Sequence, residues 1–182
     1  MQSIIPAPAP MTAHIEGDFV VFLIGMRINK LRKVHQWLPV ARAMPRMLRE
    51  LGSRPELGLL GHQLWFGGRN LLVVQYWRST EQLMRYAHDR DAAHLPAWRD
   101  FNRRLGKSDA VGIWHETFQV AEGKHESIYV NMPRFGLGMA SELVEARGRR
   151  RTAAGRLGRG QAGEHELAGE REQAGEQHEQ AA

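Results

Sequence analysis

Residues 18–28, DFVVFLIGMRI, constrain the fold more than any other stretch. They are rich in β-branched and aromatic side chains and read as a strand. The even positions Val20, Phe22, Ile24, Met26 and Ile28 make one continuous apolar face. The odd positions begin with Phe19, Val21 and Leu23, then turn small and polar through Gly25, Arg27 and Asn29. A strand that is apolar on both sides belongs in a sheet covered on both sides.

The partners for that strand lie within residues 13–142, which hold every Trp, Tyr and Phe of the 182-residue chain. Residues 1–12 are Pro/Ala-rich and read as a flexible N-terminal arm with no signal-peptide pattern. Residues 143–182 carry no aromatic side chain, and Ala-Gly-Glu recurs there at Ala162, Ala168 and Ala174. Such a repeat buries too little surface to offset the cost of ordering, so this segment reads as a disordered, low-complexity tail. Its basic block (Arg147, Arg149, Arg150, Arg151, Arg156, Arg159) precedes an acidic stretch from Glu164. No aromatic is interleaved for base stacking, so the expectation is a solvated tail that binds no nucleic acid.

Within the folded part, Val34, Trp37, Leu38, Ala41, Met44, Leu48 and Leu51 recur at helical spacing. Pro39 and Pro45 predict a short first turn followed by a kinked helix, stopped by Gly52 in the left-handed region. Residues 57–66 and 70–78 read as two strands of a hairpin joined at Gly67-Gly68-Arg69. Ser79 with Gln82 forms a capping-box pattern that opens a second helix. A further helical piece covers residues 92–105. Residues 111–120 read as a strand, and residues 126–132 as a fifth, ended by Pro133.

This order is the βαββαβ, ferredoxin-like α+β arrangement: an antiparallel sheet with helices on one face. The strands' second apolar face then needs a cover, and a second copy packed sheet to sheet supplies it. A homodimer is therefore expected.

Several chemistries are excluded. The chain has no Cys, which removes disulfides, thiolate nucleophiles and Cys-based metal sites. It has no phosphate-cradling glycine loop, no G-x-S-x-G elbow and no H-E-x-x-H. No metal site is expected, and no apolar run reaches membrane-helix length. A soluble, cytoplasmic protein is the expectation.

Two clusters remain. His94, Trp98, Phe101 and Leu105 share one helical face, bordered by Asn102. They read either as a core face or as a His presented to a Trp-walled pocket. The second cluster is GIWHET, residues 112–117. Adjacent strand residues point to opposite faces, so His115 and Glu116 cannot share one without a bulge. Which of them faces a pocket is open at this point. Arg27 is a possible partner for Glu116, and a buried Arg–Glu pair would then fix register instead of doing chemistry. His62, Gln75, Tyr76 and Trp77 come from the hairpin, their faces equally open. An aromatic-walled cavity suits a flat, conjugated or greasy ligand.

Together, VVFLIGMRINK, WLPVARAMPRMLREL, VVQYWRS, HLPAWRDFNRR, VGIWHETFQV and ESIYVNMP resemble a domain-of-unknown-function family described as monooxygenase-like, over roughly residues 14–136. That family sits in the dimeric α/β-barrel group, with the antibiotic-biosynthesis-type monooxygenases. The resemblance implies a small enzyme that oxidises a hydrophobic, polyketide-like molecule with oxygen and no tightly bound cofactor. The group also holds haem proteins such as aldoxime dehydratases, which makes haem the alternative cofactor. A non-catalytic module for a hydrophobic ligand is the third reading.

Under the first reading, His94 or His115 is the general base, since an imidazole ordinarily titrates near neutral pH. Glu116 is the third catalytic candidate. Arg27, Asn29 and Asn102 are candidates to hold a developing oxyanion, and Trp98 and Trp114 to wall the substrate.

Overall fold

The structure, a computed structural model, describes residues 9–89, 99 and 108–158. The elements run β1 (Met11–His14), β2 (Phe19–Ile28), α1 (Val34–Ser53), β3 (Leu59–Gly67), β4 (Asn70–Trp77), α2 (Thr80–His88), β5 (Val111–Val120), β6 (Glu142–Glu145) and α3 (Ala153–Arg156). Four of the strands form one sheet in the order β3-β4-β2-β5, every neighbouring pair antiparallel. This is the ferredoxin-like α+β topology expected from the sequence. Segment 92–105, with His94, Trp98 and Asn102, lies outside the described residues.

The hairpin turns where expected. Gly67 pairs with Asn70, and Gly68 adopts φ +59° between them. A residue with a Cβ is disfavoured in that conformation. Ser79 Oγ accepts from the Gln82 backbone N–H at 3.2 Å, which caps α2. The other half of the capping box is not made: among the described residues Gln82 Oε1 accepts no hydrogen bond, and the amide's Nε2 donates to the Glu56 carbonyl at 3.5 Å.

α1 departs from expectation. It is one helix through both prolines and ends at Ser53, with Gly52 inside it. Pro39 and Pro45 are both exposed, so solvent can serve the carbonyls they leave without amide partners. Gly58, not Gly52, takes the left-handed conformation.

The even face of β2 lies under the helices. Val20 and Trp77 pack with Leu51 of α1 and with Leu83 and Tyr86 of α2. At the other end, Met26, Ile28 and Val111 pack with Trp37, Val40 and Ala41. Trp77 is fully buried. Enclosing this apolar surface is the main stabilising contribution of the fold.

The odd face is covered differently from the sequence expectation. β1 and β6 form a two-stranded antiparallel sheet with Met11 opposite Glu145. Ala13, Ile15 and Leu137 pack on Phe19, joined by Val21, Tyr76 and Tyr129. The chain's own terminal segments thus close one end of this face. At the other end Leu23, Leu72 and Val74 are half-buried and Trp65 and Trp114 are 45% and 40% exposed, while Phe118, opposite Val21 on the edge strand, is 49% exposed.

Both domain boundaries read from composition are corrected here. Met11 and Thr12, assigned to the arm, belong to β1, and Thr12 is buried. The tail does not start at 143, because residues 142–145 form β6 and the Arg156 guanidinium pairs with Glu126. A low-complexity composition hides backbone pairing, which needs no large side chain. Residues 126–132 are not a strand of the main sheet. They contribute one bridge, in which Tyr129 and Met11 exchange backbone hydrogen bonds of 2.9 and 2.8 Å.

Among the described residues, no helix is long and apolar enough to cross a membrane. No group of three or more potential metal ligands occurs among them either.

Candidate functional site

Directly opposed residues of an antiparallel pair project to the same face. One row across the helix-covered face therefore runs Thr117, Phe22, Gln75, His62. The next runs His115, Ile24, Val73, Leu64. Above these rows the helices leave a cavity of ≈ 40 Å³ lined by Phe22, Ile24, Met44, Met47, Leu51, Gln75, Trp77, Leu83, Tyr86 and Ala87. That is room for about two or three water molecules.

The lining is apolar except for two groups. Gln75 is 5% exposed, and its Oε1 accepts from the Trp77 indole N–H at 2.8 Å. The Tyr86 hydroxyl donates to Glu50 Oε2 at 3.0 Å. Burial, and then the Glu50 contact, push the Tyr86 phenol far above its ordinary range, so it stays protonated.

The strand register resolves the question left open by GIWHET. His115 stands opposite Ile24 on the cavity side of the sheet, its ring 5.7 Å from that of Phe22. It is exposed at the border of the cavity because β5 is an edge strand, not a central one. His62, opposite Gln75, lies on the same face, and burial lowers its pKa.

Four other expected site residues lie elsewhere. Trp114 and Glu116 project from the opposite face, with Trp114 opposite Gly25 and Glu116 opposite Leu23. Arg27 is also on that face and donates to Asn70 Oδ1 at 3.1 Å. It stands opposite Gly112, four strand positions from Glu116, which is too far for the expected ion pair. The Asn29 amide is spent on the Asp109 carbonyl at 3.0 Å, holding the start of β5.

Gln75, to which the sequence assigned no role, is central to the cavity. Its signal was present as a lone amide inside NLLVVQYW. The two prolines drew attention in α1, whereas Met44 and Met47 form the wall.

Among the described residues no histidine lines this cavity, so none of them offers an axial ligand for haem there.

Residues 19–137 match the family described as Monooxygenase af470-like. The chain is 30% identical over 149 residues to Monooxygenase af470 of Aspergillus fumigatus, covering 72% of this chain and 50% of that protein. It therefore spans about half the length of that relative. A crystal structure of the aldoxime dehydratase OxdRE in complex with butyraldoxime is similar with a TM-score of 0.54 and 19% identity, over 82% of this chain and 44% of that one. At that identity the likeness is one of fold alone. The cofactor-independent oxygenase SnoaB of Streptomyces nogalater is more distant, with a TM-score of 0.41 and 13% identity over 56% of this chain and 91% of that one.

Proposed function

The chain belongs to the Monooxygenase af470-like family, and on that premise we propose that it is a small monooxygenase acting on a hydrophobic, conjugated molecule without a tightly bound cofactor. The observation that carries this reading is the small apolar cavity between the sheet and α1/α2, furnished with a single fixed amide.

The substrate supplies the electrons. Loss of a carbon-bound proton gives a carbanion, which passes an electron to oxygen. A C–O bond forms, the O–O bond breaks, one oxygen stays in the product and the other leaves as water. Anthrone is a suitable probe: with one O2 it becomes anthraquinone and one water. His115 is assigned as the base, since it stands beside Ile24 and Phe22 at the border of the cavity. His94 is assigned as a second base, Trp98 as wall and Asn102 as oxyanion donor, all from the segment after α2.

A flat tricyclic substrate needs roughly 300 Å³ or more, so the wall moves to admit it. Met44 and Met47 are unbranched and adaptable, and they sit on the helix whose hydrogen bonds Pro39 and Pro45 interrupt. A second copy of the chain covers the open end of the odd sheet face, which gives a homodimer with one cavity beside each sheet.

The test is oxygen consumption with anthrone. Wild type should consume oxygen and form anthraquinone well above the uncatalysed rate. A folded His115→Ala variant should lose about 100-fold in rate. Oxygen uptake no faster than in buffer would defeat the proposal.

A further inference from the structure

Gln75 is buried among apolar side chains, yet only one end of its amide is used. The Trp77 indole N–H can only donate, so it fixes which end of the amide faces it: Oε1, at 2.8 Å. The NH2 end is then the free one. Among the described residues it has no hydrogen-bond partner, and Gln75 is a cavity-lining residue that is 5% exposed. The nearest other polar group of the lining, the Tyr86 hydroxyl, is already committed to Glu50.

We propose that the Gln75 NH2, locked by Trp77, is the specificity determinant of this cavity and selects a ligand with a carbonyl or enolate oxygen at its buried end. This deepens the proposed function and rests on its placing the ligand between sheet and helices. The physical argument is one of asymmetry. A ligand that fills the cavity cuts the NH2 off from water. An acceptor oxygen on the ligand replaces the lost partner, whereas a hydrocarbon of the same shape leaves the donor unpaired. Apart from Tyr86, whose hydroxyl donates to Glu50, every other side chain of the lining contributes apolar contact, which cannot tell the two ligands apart. The same N–H pair would follow the oxygen as it gains negative charge, because Trp77 prevents the amide from rotating.

The reading also accounts for the pairing of Gln75 with Trp77 on one strand. Residues two apart on a strand project to the same face, so the indole can hold the amide without help from another element.

The experiment compares 1-indanone with indane, bicyclic molecules that differ by the carbonyl. Dissociation constants are measured by NMR titration on the full-length wild type and on Gln75→Leu, with the fold checked by circular dichroism. Wild type should prefer indanone by about tenfold, and Gln75→Leu should bind both alike. In wild type labelled with ¹⁵N, the Gln75 side-chain NH2 signals should shift with indanone and much less with indane. This arm does not depend on the variant folding. A preference that survives in Gln75→Leu, or NH2 signals indifferent to indanone, overturns the proposal and leaves the cavity as ligand site. Failure of wild type to bind either molecule overturns both.

Discussion

The indole of Trp114 lies across Gly25, its partner on the adjacent strand. A Cβ built at Gly25 would come within 2.4 Å of Trp114 Nε1. The missing side chain in the middle of β2 is thus filled from β5, which explains why the strand's odd face turns small at that point. Gly25→Ala should therefore destabilise the protein by about 1–3 kcal/mol through overpacking. In a Trp114→Ala background the same change should be neutral or stabilising, since alanine is preferred to glycine in a strand by roughly 0.5–1 kcal/mol. Urea unfolding of the four proteins in this cycle checks it. Equal effects in both backgrounds would contradict it.

Trp114 also belongs to the exposed part of the odd face, with Trp65 and, opposite Val21 on the edge strand, Phe118. If a second copy covers that surface, Phe118→Lys should convert a dimer to a monomer in sedimentation velocity without unfolding the protomer. A wild type that sediments as a monomer at micromolar concentration would remove the dimer from the account.

Stability should depend on pH through His62 and His125. Burial lowers the pKa of both imidazoles, so the folded protein binds fewer protons than the unfolded chain. Their contribution is complete above the ordinary value of about 6.5 and is lost as pH falls through it toward the folded pKa. The urea midpoint should decline between about pH 7.5 and about pH 5, and His62→Gln with His125→Gln should flatten that slope. The carboxyls of Asp109 and Glu81, whose pKa values are lowered by hydrogen bonds from Lys30 and Ser79 first of all, act at lower pH and leave this window unchanged. A slope unaffected by the double substitution would contradict the assignment.

The terminal sheet should be structural. Truncation before Leu143 removes most of β6 and the Arg156–Glu126 pair. Ala13 and Leu137 then lose cover over Phe19, and the midpoint of unfolding should fall. A truncated protein as stable as the full chain would show that β6 carries no weight.

The main sheet was legible in the sequence because its pattern is strong. The residues flanking Gly68 and the alternating faces of residues 19–28 each have one sensible reading. The terminal sheet was not legible, since four-residue strands such as MTAH and ELVE leave no periodic signature and the Arg-rich context around β6 points the other way. The site was half legible. His115 could be named but not oriented, because a one-residue choice of register reverses every face. Arg27 and Glu116 suggested a pair only because sequence does not show that four strand positions separate them across β2 and β5. Gln75 was passed over because a single amide in an apolar strand draws attention only once its neighbours are seen to enclose a cavity.

The placement of the ligand is tested most directly by NMR of protein labelled at the methionine methyl groups. Met44 and Met47 line the cavity, whereas Met84 and Met139 are 50% and 43% exposed outside it. On titration with anthrone, the signals of Met44 and Met47 should move and those of Met84 and Met139 should stay. Movement of Met139 with Met44 and Met47 unchanged would put the ligand on the wrong side of the sheet.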